Sequence, residues 1–230
     1  MYQDILDAYR TTTEKTLAAW EQHPGAGEAV PEEDNRRYLG VSSGCLFQPH
    51  GQLSQCHQKL QQLASQDALL DITPLEGLHF TFLALAWDYY SDLESLPPEL
   101  SDLKRLYKQF VVTVDFRVDE LRLVPLNNTL LLAGVPSVES CQMRQAFAEA
   151  LLASPWRPHI EDRYRNHLIP PLFWHTTLAR YRSSYASQAL CELYFDYSNV
   201  TFGSLDLGKP QLVATTYNWI PFYDLICEDL

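Results

Sequence analysis

Apolar residues recur along this chain with two periods, one near 3.6 and one near 2, and the switches between them mark out its elements. Tyr2, Ile5, Leu6, Tyr9, Leu17 and Trp20 stand near helical spacing and predict an amphipathic helix laid against something apolar. Residues 21–35, rich in Pro, Gly and acid, read as a loop joining that helix to the main body. An apolar and small-residue run over 38–47 predicts a strand, and Leu53, Cys56, Leu60 and Leu63 predict a helix after it. A strand over 78–85 follows, then a helix over 102–110 built on Leu103, Leu106, Tyr107 and Phe110. Val112, Val114, Phe116 and Val118 then alternate with polar neighbours as a half-buried strand does.

The turn signal Asn127-Asn128 separates these elements from a second set. It starts with a strand-like run over 129–135 and a helix opened by Pro136-Ser137, with Met143, Phe147 and Leu151 inward. A strand over 172–181, a less regular helix over 185–194, and strands over 211–219 and 222–227 with Pro221 between them complete the reading. The second half repeats the order of the first, and each half sets one His-x-Thr at the same place in that order: His79 and Thr81, then His175 and Thr177. The expected fold is α+β and two-lobed, a duplicated unit with pseudo-two-fold symmetry, its two mainly antiparallel sheets lining a central cleft and its helices outside. Residues 1–35 form the N-terminal helix and acidic loop. Residues 36–230 form one bilobal domain, with lobes of about 36–125 and 126–230 that can exchange strands.

Charge and cysteines narrow the partners. A chain of 230 residues with 46% hydrophobic positions can bury a sizeable core. Its formal charge of -12 opposes binding to long nucleic acid, which rests on many Lys and Arg contacts to phosphates, and favours a small or locally held anion. Cys45, Cys56, Cys141, Cys191 and Cys227 are scattered and never form a C-x-x-C pair, so they suggest neither a disulfide framework nor a zinc knuckle. The chain opens with no basic segment leading to an apolar run and a small-residue cleavage site, and no stretch approaches bilayer length. We expect a soluble cytoplasmic protein with no membrane association.

The paired motifs supply the candidate chemistry. Residues two apart on a strand share a face, so His79 points with Thr81, and His175 with Thr177. Imidazole moves a proton near neutral pH, and a threonine hydroxyl donates to a phosphoryl oxygen. Two such pairs across a cleft provide an acid, a base and two anion contacts. That suffices to cleave a 2',3'-cyclic phosphate, a 2'-5' linkage or a cyclic nucleotide without a metal, with either histidine in either role.

H-F-T-F at residues 79–82 and H-T-T-L at residues 175–178 resemble the two H-x-T-hydrophobic motifs of the 2H phosphoesterase superfamily, which includes the bacterial RNA 2',3'-cyclic phosphodiesterase and 2'-5' RNA ligase group. F-W-H-T-T-L-A-R-Y at residues 173–181 is similar to the second motif, in which an arginine often follows five residues after the histidine, near the phosphate. Arg180 stands at that position. By strict alternation Arg180 projects opposite to His175, so it reaches a shared cleft only through a bulge or a strand end. The chain differs from that group in its N-terminal helix and in L-A-L-A-W-D-Y-Y after the first motif.

The resemblance implies a metal-independent, two-histidine phosphodiesterase needing no cofactor and acting on a nucleotide or short oligonucleotide. His79 and His175 are its catalytic residues, and Thr81, Thr177 and Arg180 its phosphate contacts. A nucleotide-binding module with little turnover, and RNA ligation, stay open as alternatives. Tyr38 and Trp87 are candidates for stacking on a base, with Tyr89, Tyr90 and Trp174 as further aromatics that can equally be core. Arg157, Arg163 and Arg165 read as a basic cluster in the loop approaching the second motif, either attracting an anion or balancing Glu161 and Asp162. His23, His50, His57, His159 and His167 show no metal-ligand spacing.

Overall fold

A computed structural model describes residues 2–23, 25–30, 37–111 and 115–226. In chain order the elements are α1 (Tyr2–Gln22), β1 (Leu39–Leu46), α2 (Gly51–Ala64), β2 (Leu70–Ile72), a 3-10 turn (Leu75–Gly77), β3 (His79–Tyr90), α3 (Leu100–Phe110), β4 (Phe116–Leu126), β5 (Thr129–Pro136), α4 (Val138–Leu152), α5 (Arg157–Arg163), β6 (His175–Tyr181), α6 (Gln188–Tyr197), β7 (Leu205–Gly208), β8 (Gln211–Thr215) and β9 (Phe222–Asp224). The strands form two antiparallel sheets, one ordered β3-β1-β8-β9 and the other β2-β6-β5-β4-β7, with a cleft between them. Each sheet therefore holds one His-x-Thr strand.

The chain crosses between the sheets. β2 and β4, from the first half, pair in the sheet of the second motif, while β8 and β9 pair in the sheet of the first. Phe80 and Phe82 of β3, Phe116 of β4 and Trp174 just before β6 are all buried and pack ring against ring at 5.4 to 6.0 Å. This aromatic cluster joins elements of both sheets, contributing specific edge contacts beyond the area it buries.

α1 lies on β4 and β5 with Ile5, Tyr9 and Thr16 buried. Its buried polar groups bond backbone that the strands leave unpaired. The Thr16 hydroxyl donates to the Pro125 carbonyl at 3.2 Å and accepts from the Asn127 N–H at 3.2 Å, and the Trp20 indole donates to the Asn127 carbonyl at 2.8 Å. The helix thus grips the β4–β5 hairpin.

Several boundaries differ from those expected. β2 is three residues long, too short to show a period. Residues 157–163, expected as loop, form α5, with a proline in its first turn and Ile160 buried. The strand expected over 211–219 stops at Thr215, because residues 216–220 close into a turn around the Thr216 hydroxyl, which donates to the Ile220 carbonyl at 2.7 Å. The last strand covers Phe222–Asp224, and Cys227 lies outside the described residues. So do Val112, Val114 and residues 31–35 of the expected acidic loop.

Candidate active site

Both motif strands carry a bulge at the same place. β3 pairs Thr81 with Gly44 and Leu83 with Ser43, passing over Phe82; β6 pairs Thr177 with Leu131 and Ala179 with Leu130, passing over Leu178. Each skipped residue is the third after its histidine. A bulge resets the in-and-out alternation, so Arg180 comes to line the same cleft as His175 and Thr177. On β3 the equivalent position is held by Ala84, which also lines the cleft.

Bulges leave ladder groups unpaired, and side chains take them up here. Thr73, directly after β2, donates from its hydroxyl to the Thr177 carbonyl at 2.8 Å and from its N–H to the Leu178 carbonyl at 3.0 Å. On β3, the Ser43 hydroxyl donates to the Leu83 carbonyl at 3.2 Å, and the Ala84 N–H donates to the Tyr164 hydroxyl at 3.2 Å.

His79 is buried and tightly framed. Its Nδ1 lies 2.8 Å from the Gly77 carbonyl, which fixes Nδ1 as the protonated nitrogen and leaves Nε2 free to exchange a proton. Its ring stacks on the Trp219 indole at 4.3 Å and 8°. Trp219 has φ of 62°, a left-handed conformation costing on the order of 1 kcal/mol for a bulky residue. The turn over 216–220 holds it there. Gly77 makes this closure feasible, since a Cβ on it would lie 2.1 Å from the Asn218 carbonyl oxygen.

His175 is framed differently. Phe173 meets it edge-on at 6.0 Å, and its buried Nδ1 has no hydrogen-bond partner among the described residues. The Trp174 N–H before it donates to the buried Tyr9 hydroxyl at 3.1 Å, and that hydroxyl donates to the Gly134 carbonyl at 2.7 Å. Arg180 leans on the Tyr217 ring at 5.1 Å, and the Tyr217 hydroxyl donates to Asp71 at 2.8 Å. Burial pushes His79 down to about 3, against the Gly77 hydrogen bond, with smaller contributions from Arg180 and His175. Burial pushes His175 down to about 4, helped by Arg144, Arg180 and Arg163. Both rings are thus held in the neutral form at pH 7.

The cleft has a volume of about 890 Å³ and gathers His79, Thr81, His175, Thr177, Arg180 and Trp87. Its charged lining is Arg144, Arg163, Arg165, Arg180 and Arg182 against Asp71 and Asp88, a cationic surface on a chain of formal charge -12. Burial pushes Asp88 up to about 6, with Arg163 and Arg180 opposing. Trp87 is half-exposed, with the Arg163 guanidinium 3.7 Å over its ring. Tyr38 is not brought to the cleft; it precedes β1, with the Arg37 guanidinium 5.3 Å over its ring. Trp174 belongs to the core and Arg157 pairs with Glu161 at 2.7 Å on α5, so neither lines the cleft. Among the described residues, no three His, Cys, Asp or Glu side chains converge as a metal site, and no helix is long and apolar enough to cross a membrane.

Sequence reading missed Trp219, Tyr217, Asp71 and Arg144. All four reach the site from segments outside the motifs, and none has a local signature. The only available hint was Pro221, which interrupts an apolar run just after Trp219.

Two sheets facing each other across a cleft, with one His-x-Thr strand in each, are the arrangement that the duplicated order of elements predicts. No family model matches the chain, and no curated protein matches it. Among solved structures it is similar to one described as a phosphoesterase, with a TM-score of 0.49 and 12% identity over 81% of this chain and 94% of that one. It is similar to a conserved protein of unknown function from Agrobacterium tumefaciens, with a TM-score of 0.48 and 16% identity over 89% and 91%. It is also similar to E. coli LigT complexed with NADP+, with a TM-score of 0.45 and 12% identity over 78% and 89%.

Proposed function

We propose that this protein is a phosphodiesterase that cleaves a nucleotide or short oligonucleotide phosphodiester, such as a 2',3'-cyclic phosphate, a 2'-5' linkage or a cyclic nucleotide, by general acid–base catalysis between two histidines. One observation carries the reading: His79, Thr81, His175, Thr177 and Arg180 line a single cleft whose charged rim is mainly arginine. A bound phosphodiester brings negative charge into a buried cationic site, raises the pKa of both imidazoles and makes it possible for one of them to take up a proton.

The acid and base roles follow from the second nitrogen of each ring. An imidazolium has two N–H groups to satisfy. His79 already has the Gly77 carbonyl at its Nδ1, while Nδ1 of His175 has no partner among the described residues. The acid must rest as an imidazolium in the bound complex, whereas the base becomes one only as the proton transfers, so we assign His79 as the acid and His175 as the base. His175 Nε2 takes the proton from water or a sugar hydroxyl as the new P–O bond forms. His79 gives the Nε2 proton to the leaving oxygen as the old P–O bond breaks. The Thr81 and Thr177 hydroxyls and Arg180 hold the non-bridging oxygens, which carry charge through the transition state.

The test is turnover of a panel of 2',3'-cyclic nucleotides, 2'-5' oligoadenylates and cyclic dinucleotides in excess chelator, for wild type, His79→Ala and His175→Ala. Cleavage that survives chelation and is lost in both variants is expected. Nucleotide binding without cleavage of any member would replace the enzyme with a binding module of the same architecture.

A further inference from the structure

Arg144 is the most deeply buried cation lining the cleft, 4% exposed, on α4, outside both motifs. No carboxylate pairs with it among the described residues. Its guanidinium lies 3.4 Å over the Trp174 ring, a close cation–π contact. One terminal nitrogen, Nη1, donates to the Phe173 carbonyl at 3.1 Å and, with a longer contact of 3.5 Å, to the Phe82 carbonyl. The other, Nη2, donates to the Pro171 carbonyl, and Nε is buried without a partner. These acceptors are not random backbone. Phe82 is the bulge residue after the first motif, and Pro171, Phe173 and Trp174 form the approach to His175.

Burying a guanidinium against carbonyls alone is unfavourable unless the geometry it imposes is needed, since a buried charge without a counter-charge loses hydration that hydrogen bonds replace only partly. Helix α4 packs against α3 and α5, so Arg144 is anchored on the scaffold and reaches from there to both sheets. We propose that Arg144 is a positioning residue shared by the two motifs, whose guanidinium ties the bulge after His79 to the segment leading into His175 and so sets the relation of the two imidazoles. The proposal rests on the two-histidine reading above and adds to it a residue that touches neither reacting atom.

Its charge has a second consequence. The groups facing His175 are Arg144 from α4, Arg163 from α5, Arg180 from β6 and His79 from β3, and Arg144 is the largest of these influences. It opposes protonation of His175 before substrate binds, which keeps that imidazole neutral and available as a base.

The proposal is tested with Arg144→Met, which keeps the bulk and removes the charge, and Arg144→Lys, which keeps the charge and cannot bridge the same carbonyls. Nitrogen-15 NMR titration of the histidine rings in the ligand-free chain is the first readout, because it needs no turnover. Arg144→Met should raise the His175 pKa more than that of His79, and Arg144→Lys should leave it near wild type. The second readout is turnover of adenosine 2',3'-cyclic phosphate. Both variants should lose about a hundredfold in kcat with a smaller change in KM, as expected when reacting groups shift by an ångström or so. Thermal melts identify any variant that is simply unfolded. Folded variants that titrate and turn over like wild type would overturn the role. If wild type itself turns over no substrate, the phosphodiesterase reading fails alone, and the titration still decides whether Arg144 acts on His175.

Discussion

The two His-x-Thr strands share a backbone and differ in what surrounds it. Each has its bulge three residues past the histidine, and each sends the histidine and threonine to the cleft. Beyond the bulge they part: Ala84 occupies on β3 the place that Arg180 occupies on β6. The rings part as well. His79 is stacked on Trp219 and anchored on the Gly77 carbonyl, whereas His175 is met edge-on by Phe173, faces arginines and has an unpartnered Nδ1. Under the proposed function, this difference gives β3 the supported ring of the acid and β6 an additional cation for the phosphoryl group. Duplication can supply the scaffold twice, but a reaction with one acid and one base needs the copies to diverge.

The largest effect expected from this asymmetry is in the leaving-group dependence of the histidine variants. Loss of either histidine should lower turnover by about 10² to 10⁴. With a p-nitrophenyl diester of a nucleotide, whose leaving group departs without a proton, His79→Ala should recover most of its rate and His175→Ala should not. Recovery in the opposite variant would exchange the two roles. Next, Arg180→Ala makes the second motif resemble the first at that position, and should lower kcat/KM by about 10- to 100-fold, the equivalent of roughly 1.5–3 kcal/mol for a charge-assisted hydrogen bond. Unchanged kinetics would mean that the Tyr217 and Asp71 contacts, and not phosphate, account for its position.

A smaller effect is expected at the threonines, which the two motifs present alike. Thr81→Val and Thr177→Val should each lower kcat/KM about tenfold, for roughly 1.5 kcal/mol per hydrogen bond to a charged group. A large inequality between them would show that the phosphoryl oxygens sit against one sheet only. A separate effect is expected on stability. Both histidines are held neutral by burial, at about 3 and about 4, while an unfolded imidazole titrates near 6.5. As pH falls, the unfolded chain takes up these protons first, so their contribution is complete above about 6.5 and is lost as pH drops towards 4 and 3. Urea melts should become weaker over that window, and less steeply in His79→Gln/His175→Gln. The same depression should place the kcat/KM optimum on the acid side of 6.5.

Much of the scaffold was legible in the chain because its signals are local. The apolar strand runs around His79 and His175, the helical spacing of Leu103, Leu106 and Tyr107, and the Ser137 cap at the start of α4 each depend on residues within a turn or two of one another. The His-x-Thr spacing likewise specifies that each histidine shares a face with its threonine. The position of Arg180 shows where local reading stops. Alternation aims it away from His175, and only the pairing of β6 with β5, which passes over Leu178, turns it into the cleft.

What the sequence by itself determined was the order of elements, the duplicated motif and the residue types able to move a proton and hold an anion. Tertiary structure alone decided which strands pair across the halves, that Trp219 lies flat on His79, and that Arg144 spans the two motifs. The reason is physical. Periodicity and caps are set by neighbours a few residues apart, whereas bulge register, ring stacking and buried hydrogen bonds join residues tens of positions apart, and chain spacing carries no record of those distances.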